Sequence, residues 1–253
     1  MQAWPLPPGV HSDFSTRAGG VSLPPYDSLN LGDHVGDAPE AVAANRARYQ
    51  ASLGARPVFL KQVHGWQVAR LDASTPDGTE ADACVTSTRG IACTIMVADC
   101  LPVLFAHRGG QVVGAAHAGW RGLLGQGGHG VLEAVWAAFW PLAGKSEAEA
   151  VAATSVWLGP CIGPEAFEVG PEVHAAFTAA DAGAAEFFRP HGAGKFLADL
   201  PALARRRLQA LGFTTIHGND GSRDWCTVSN PSKFFSHRRD RLSGRFAASI
   251  WLG

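Results

Sequence analysis

Ile91-Ala-Cys-Thr-Ile-Met-Val-Ala-Asp-Cys-Leu-Pro-Val-Leu-Phe-Ala-His-Arg-Gly-Gly-Gln-Val-Val-Gly-Ala-Ala-His117 holds three short apolar runs, at 91–97, 103–106 and 111–116, parted by turn residues. Runs of this length bounded by turn signals read as strands. Arg108-Gly-Gly-Gln reads as the hairpin turn between the last two. Upstream, 58–63, 67–71 and 81–86 extend the β-rich block. Downstream, 155–158 and the closing run 246–252 add to it. Helical spacing marks residues 40–53 through Val42, Arg46, Tyr49 and Leu53, and about 129–140 through Val131, Leu132, Val135, Trp136 and Phe139. Further helices are expected near 171–180 and 198–211, with Gly212 capping the latter. Strands come in a run with helices at the flanks and little βαβ alternation. That predicts an α+β protein, a layered α/β sandwich with a mixed sheet. No internal repeat is visible, so one catalytic domain over 1–253 is expected. Residues 141–153 read as a surface linker, and the Gly-, Pro-, Asp- and Ser-rich residues 1–40 as ordered turns.

With 46% hydrophobic residues in 253, a sizeable core forms without any run long enough to span a membrane. Met1-Gln-Ala-Trp-Pro-Leu-Pro-Pro-Gly has neither a basic start nor an apolar stretch, so no secretory signal is expected. A net charge of −1 argues against nucleic acid or an anionic membrane as the main partner. Five cysteines, with no CxxC pair, point to reduced thiols and a cytoplasmic enzyme rather than a disulfide framework.

The chemistry concentrates on His64, Cys100 and His117, each expected where a strand delivers one polar residue into a turn. Taken singly, a buried His or Cys is ordinarily a core residue. Together, two His and one Cys are a three-ligand set, which for zinc leaves a fourth position open. His117-Ala-Gly-Trp-Arg-Gly continues into a Gly-rich turn, where Arg121 could hold phosphate or carboxylate; the alternative is a turn and nothing more. Asp82 and Asp99 could orient a ligand histidine, handle protons, or simply cap a turn. His237, Arg238 and Arg239 are either a solvated basic edge or a second anion clamp. No GxxxxGK[ST] motif is present, which disfavours a nucleotide triphosphatase.

Lys61-Gln-Val-His-Gly, Ala81-Asp-Ala, Ala98-Asp-Cys-Leu-Pro-Val-Leu-Phe, His117-Ala-Gly-Trp-Arg-Gly, Leu158-Gly-Pro-Cys-Ile-Gly-Pro and Phe234-Phe-Ser-His-Arg-Arg-Asp occur in that order. With Ser15-Thr-Arg-Ala-Gly-Gly and Gly244-Arg-Phe-Ala, the set resembles the laccase-domain, or YfiH-type, family across almost the whole chain. The resemblance implies the sandwich fold shared with the cytotoxic necrotizing factor catalytic domain. It implies a metal, usually zinc, at His64, Cys100 and His117, with Arg121 as the site arginine. His237 stands where relatives often have Tyr, and residues 219–225 look like an insertion able to reshape the rim.

The family has carried two kinds of label, polyphenol (multicopper) oxidase and purine nucleoside phosphorylase with adenosine deaminase and methylthioadenosine phosphorylase activity. Ten histidines without a His-x-His pair disfavour a multicopper cluster, although a lone His₂Cys set could take copper in vitro. Phosphorolysis of purine nucleosides fits better. Phosphate would be held by Arg121 and the Gly-rich turn, with Arg17, His237 or Arg239. Deamination would use metal-activated water and Asp82. The remaining class is a cysteine-type amidase editing muramyl-peptide precursors, with Cys100 as nucleophile and His117 as base.

Overall fold

The apolar runs are continuous rather than alternating because both faces of their strands are covered. The structure, a computed structural model, describes residues 4–253; residues 1–3, the start of the stretch read as lacking a secretory signal, lie outside them. In chain order the elements are β1 (Val10–Phe14), α1 (Pro39–Leu53), β2 (Arg56–Phe59), β3 (Val68–Arg70), β4 (Ala83–Thr86), β5 (Ile91–Val97), β6 (Leu101–His107), β7 (Val113–Ala118), α2 (Trp120–Leu124), α3 (Val131–Phe139), α4 (Glu147–Ala152), β8 (Thr154–Leu158), β9 (Glu168–Val169), α5 (Pro171–Ala180), β10 (Phe188–His191), β11 (Lys195–Ala198), α6 (Leu200–Ala210), β12 (Ile216–Gly218), α7 (His237–Asp240) and β13 (Phe246–Leu252). One sheet runs β1-β13-β5-β2 and a second β12-β8-β6-β7-β4-β3, with a small third sheet β10-β11-β9. The two large sheets are mixed: β2 with β5, β3 with β4, and β8 with β12 are parallel pairs, and the other pairs are antiparallel.

The large sheets pack face to face. Val58, Cys93, Ile95, Ala248 and Ile250 meet Cys84, Leu104, Ala106, Val113 and Ala115 in one apolar layer. Side chains alternate across a strand, so Val103 and Phe105 of β6 point the other way. They pack with Trp136 and Phe139 of α3 and Leu203 and Leu208 of α6. Tyr49 and Leu53 of α1 cover the far face of the first sheet, over Phe59, Met96 and Ala247. The layered α+β sandwich expected from the sequence is therefore present.

Several boundaries differ. Residues 141–153 are no linker. They form a 3-10 turn and α4, with Ala143 and Ala150 buried. The signal was legible, because Ser146 and Glu149 make a reciprocal capping box. The turn-rich N-terminus hides β1, whose order comes from pairing with β13. Strand β2 stops at Phe59, short of the run expected over 58–63, so His64 sits in a turn five residues after the strand ends. Cys84 and Cys93 lie in opposite sheets, and all five cysteines are unpaired.

Candidate metal centre

Strand register assembles the site. Pro102 of β6 lies opposite His117 of β7, so Cys100, two residues before Pro102, reaches the same sheet end as His117. Ala83 of β4 lies opposite Ala116, and the His117 amide donates to the Asp82 carbonyl at 2.7 Å. His64 arrives from the other sheet. There β2 and β5 are parallel, and the loops that follow them leave at one end. Gln62 stitches these loops together, with Nε2 donating to the Met96 carbonyl at 2.8 Å and Oε1 accepting from the Met96 amide at 2.8 Å.

One nitrogen from each of His64 and His117 and the Cys100 sulfur lie within 4.8 Å of one another. The two rings meet edge-on, centroids 4.8 Å apart. Donors on a zinc tetrahedron are roughly 3.3–3.7 Å apart, given bonds of about 2.0–2.3 Å. About an ångström of side-chain closure therefore suffices. The donor types, their convergence and a carboxylate behind one histidine fit a resident metal.

That carboxylate is Asp82, fully buried. Its Oδ1 accepts from His117 Nδ1 at 2.9 Å and from the His64 amide at 2.8 Å; Oδ2 accepts from the Gly65 amide at 2.7 Å and the Val63 amide at 3.1 Å. Burial favours the protonated acid, but the His117 bond and charge and the two amides outweigh it, and the Asp82 pKa is lowered. Asp82 thus faces the ligand-bearing segments and does not line the cavity. Burial likewise pushes the Cys100 thiol up. The His117 charge and the hydrogen bonds from both histidines reverse this and bring it to about 6. His117 is pulled down by burial, yet Cys100 and Asp82 raise it to about 9.

The backbone is held in unusual places to achieve this. His64 (φ 62°) and Asp99 (φ 91°) occupy the left-handed region, which costs a non-glycine residue of order 1 kcal/mol or more. Asp82 compensates at His64. At Asp99, Oδ1 accepts from Thr227 Oγ1 and Oδ2 from the Arg238 amide, both at 2.6 Å. The glycines of the His117 motif serve close packing. A Cβ on Gly119 would sit 3.0 Å from the Cys100 sulfur, and one on Gly122 would sit 2.6 Å from the Gly65 carbonyl oxygen.

The donors lie at one wall of a cavity of about 420 Å³. Trp120, Ile162 and Phe167 give it apolar surface, and Asp99, Arg238 and Arg245 give it charge. Of the residues expected to bind an anion, His237, which is exposed, and Arg238 line this cavity, and Arg17, Arg121 and Arg239 do not. Arg121 is exposed and lies over the Trp120 ring at 4.5 Å, outside the lining. Glu133, the nearest carboxylate downstream of Arg121 in sequence, pairs with Arg207 at 2.9 Å. Arg17 is engaged by the Asp27 carboxylate and by the carbonyls of Asp27 and Pro231. Arg239 is engaged by Asp240 and the carbonyls of Thr227, Val228 and Phe234. Both guanidiniums are tied down within the protein. Residues 219–225 supply no lining residue, and Asn219 is buried, bonded to the Gly159 carbonyl at 2.9 Å. Sequence reading assigned no role to Gln62, His34, Trp120, Phe167 or Arg245. Gln62, Trp120 and Arg245 stood inside the quoted motifs, which was their only signal.

A family model described as multi-copper polyphenol oxidoreductase laccase matches residues 11–253. The chain is 50% identical over 251 residues to purine nucleoside phosphorylase YfiH of Escherichia coli, covering 98% of this chain and 96% of the relative. It is 49% identical over 250 residues to purine nucleoside phosphorylase PA4543 of Pseudomonas aeruginosa, covering 98% and 96%. Among solved structures, protein NMB0706 of Neisseria meningitidis superposes with a TM-score of 0.89 at 45% identity, over 99% of this chain and 97% of that one. YlmD of Geobacillus stearothermophilus gives 0.81 at 31% identity, over 97% and 92%.

Proposed function

This chain belongs to the multi-copper polyphenol oxidoreductase laccase family, and from that membership we propose that it is a metal-dependent purine nucleoside phosphorylase, also acting as an adenosine deaminase and methylthioadenosine phosphorylase, with zinc at His64, Cys100 and His117. One observation carries this reading: a three-donor set, aromatic walls and arginine share a single cavity of nucleoside size. The relatives named purine nucleoside phosphorylase at 50% and 49% identity support it. The cytoplasmic setting expected from the sequence is compatible with the absence, among the described residues, of any helix long and apolar enough to cross a membrane.

In phosphorolysis a phosphate oxygen bonds to ribose C1′ as the C1′–N9 bond breaks. The purine leaves with the bonding pair and takes up a proton, giving free base and ribose 1-phosphate. Trp120 and Phe167 flank a planar base by stacking. Asp99 presents a fixed negative charge to the cationic character developing at C1′. Asp82 acts through its neighbours: it holds the His117 proton on Nδ1, leaves Nε2 as a donor, and pins the His64 turn. When bound, the metal supplies Lewis acidity beside the substrate. Multicopper oxidation ranks lower, because one cluster of three such ligands is found among the described residues. A second reading has its own observation. A Cys100 thiol near 6 beside His117 is the pairing a cysteine amidase needs, as for editing muramyl-peptide precursors.

Inosine, adenosine and methylthioadenosine, each with and without phosphate, before and after chelation, separate these readings. Phosphate-dependent base release lost on chelation supports the phosphorylase. Base release that survives metal removal, or none with any of the three, overturns it.

A further inference from the structure

Arg245 is the unusual cation of this molecule. It lines the cavity with the metal donors, and no carboxylate lies within 4.0 Å of it among the described residues. Among the other part-buried guanidiniums, Arg17 is paired with Asp27, Arg46 with Asp33, Arg207 with Glu133 and Arg239 with Asp240, while Arg56 is held by the carbonyls of Ala73 and Thr75 and Arg205 by those of Ile216 and Asn219. Arg238, the second cavity arginine, gives Nη1 to the Ala166 carbonyl at 3.2 Å and Nη2 to that of Glu168 at 3.0 Å. Arg245 bonds only through Nη1, to the carbonyls of Ser243 (2.8 Å) and Gly244 (3.0 Å). Its Nε and Nη2 have no partner among the described residues, neither atom is fully buried, and the side chain lines the cavity.

The position is built. The Arg245 amide donates to Oδ1 of the fully buried Asn30 at 2.8 Å, and the Leu31 amide donates to the Arg245 carbonyl at 3.0 Å. The Gly32 amide shares the same Asn30 oxygen at 2.9 Å. A Cβ on Gly32 would lie 2.7 Å from the Arg245 Cγ, so glycine is what lets the arginine stem pass. The Asn30-Leu-Gly turn, read from sequence only as an ordered turn, is thus the seat of this side chain. Asp99 and Cys100 lie within its electrostatic reach and oppose the effect of burial on it. A guanidinium with its Nε and Nη2 edge free presents two parallel donors, the geometry that matches two phosphate oxygens.

We infer that Arg245 binds the inorganic phosphate co-substrate, its Nε–Nη2 edge taking two phosphate oxygens beside the metal donors. This rests on the phosphorylase reading. Two donors on the side facing the cavity hold the nucleophile where the aromatic walls place the nucleoside, which neither Arg121 nor the tied Arg17 and Arg239 can do.

The test is calorimetric titration of inorganic phosphate into the metal-loaded protein, with Arg245→Gln, Arg245→Lys and Arg121→Gln alongside. Removing a charge-assisted bidentate contact is expected to weaken phosphate roughly 10- to 100-fold in Arg245→Gln. Arg245→Lys retains charge but loses the fork and should fall between, while Arg121→Gln should match wild type. Inosine binding without phosphate should be unchanged in all three. Should Arg245→Gln not fold, Arg245→Lys and the wild type decide. Phosphate should then move the guanidinium Nε–H resonance that disappears in Arg245→Lys. Wild-type phosphate affinity in both Arg245 variants, or no movement of that resonance, overturns the assignment. If wild type cleaves no nucleoside yet phosphate binding still depends on Arg245, the phosphorylase reading fails and the anion site stands.

Discussion

His117 donates from Nδ1 to Asp82 Oδ1 at 2.9 Å, and that same oxygen accepts the His64 amide at 2.8 Å. One buried carboxylate therefore sets the tautomer of one candidate ligand and the backbone position of another. Asp82→Asn keeps the shape but puts an amide donor among four N–H groups. Metal affinity is expected to fall roughly 10- to 100-fold, and the fold to lose about 2 kcal/mol or more. Competitive zinc titration and thermal melting check both. Unchanged zinc affinity would show that Asp82 does not position the ligands.

In metal-free protein the Cys100 thiol, brought to about 6, is a thiolate at neutral pH. Below that value it is protonated and slow; above it, reactive. Alkylation of Cys100 should rise with pH through about 6, where an ordinary cysteine rises near 8.5. Bound metal should suppress it. Mass-spectrometric rates across pH 4–9 measure this, and an ordinary midpoint would contradict the Cys100–His117 pairing.

How much of this was legible beforehand differs by element. The strands around 91–117 read cleanly because burial on both faces leaves unbroken apolar runs, and the candidate ligands followed from the residues between them. What joins those residues did not read. Asp82 and Asp99 look alike in sequence, each beside alanine and before a strand. Only the register of β4 against β7 makes the first a partner of His117. Arg245 was hidden for a related reason: arginines are judged by their sequence neighbours, while partnering is decided by distant groups such as Asp27, Glu133 and Asn30. Arg121 drew attention by lying next to a ligand motif, yet its side chain lies over the Trp120 ring and is not among the residues that line the cavity.

The glycines of the His117 motif allow a graded comparison. Gly122→Ala drives a Cβ to 2.6 Å from the Gly65 backbone and must displace the turn carrying His64. The better helix propensity of alanine offsets only about 1 kcal/mol. Gly119→Ala meets the Cys100 sulfur at 3.0 Å and His64 Cδ2 at 3.1 Å, both side-chain atoms that a few tenths of an ångström of movement relieves. Metal affinity should drop more in Gly122→Ala than in Gly119→Ala. The reverse order in zinc titrations would mean that α2 does not brace the His64 turn.

Phe167 lines the cavity and is not one of the metal donors, so Phe167→Ala should raise the nucleoside KM by roughly 10-fold or more, given what base–aromatic stacking contributes. Phosphate affinity and metal content should stay put. Equal loss toward phosphate and nucleoside would place the wall residue in general packing instead.

The donor set itself is tested most directly by X-ray absorption at the zinc edge, on protein loaded with one equivalent of zinc. His64, Cys100 and His117 require one sulfur scatterer at about 2.3 Å and two imidazole nitrogens at about 2.0 Å. The sulfur contribution should disappear in Cys100→Ser. A first shell of oxygen and nitrogen alone in the wild type would contradict this metal centre.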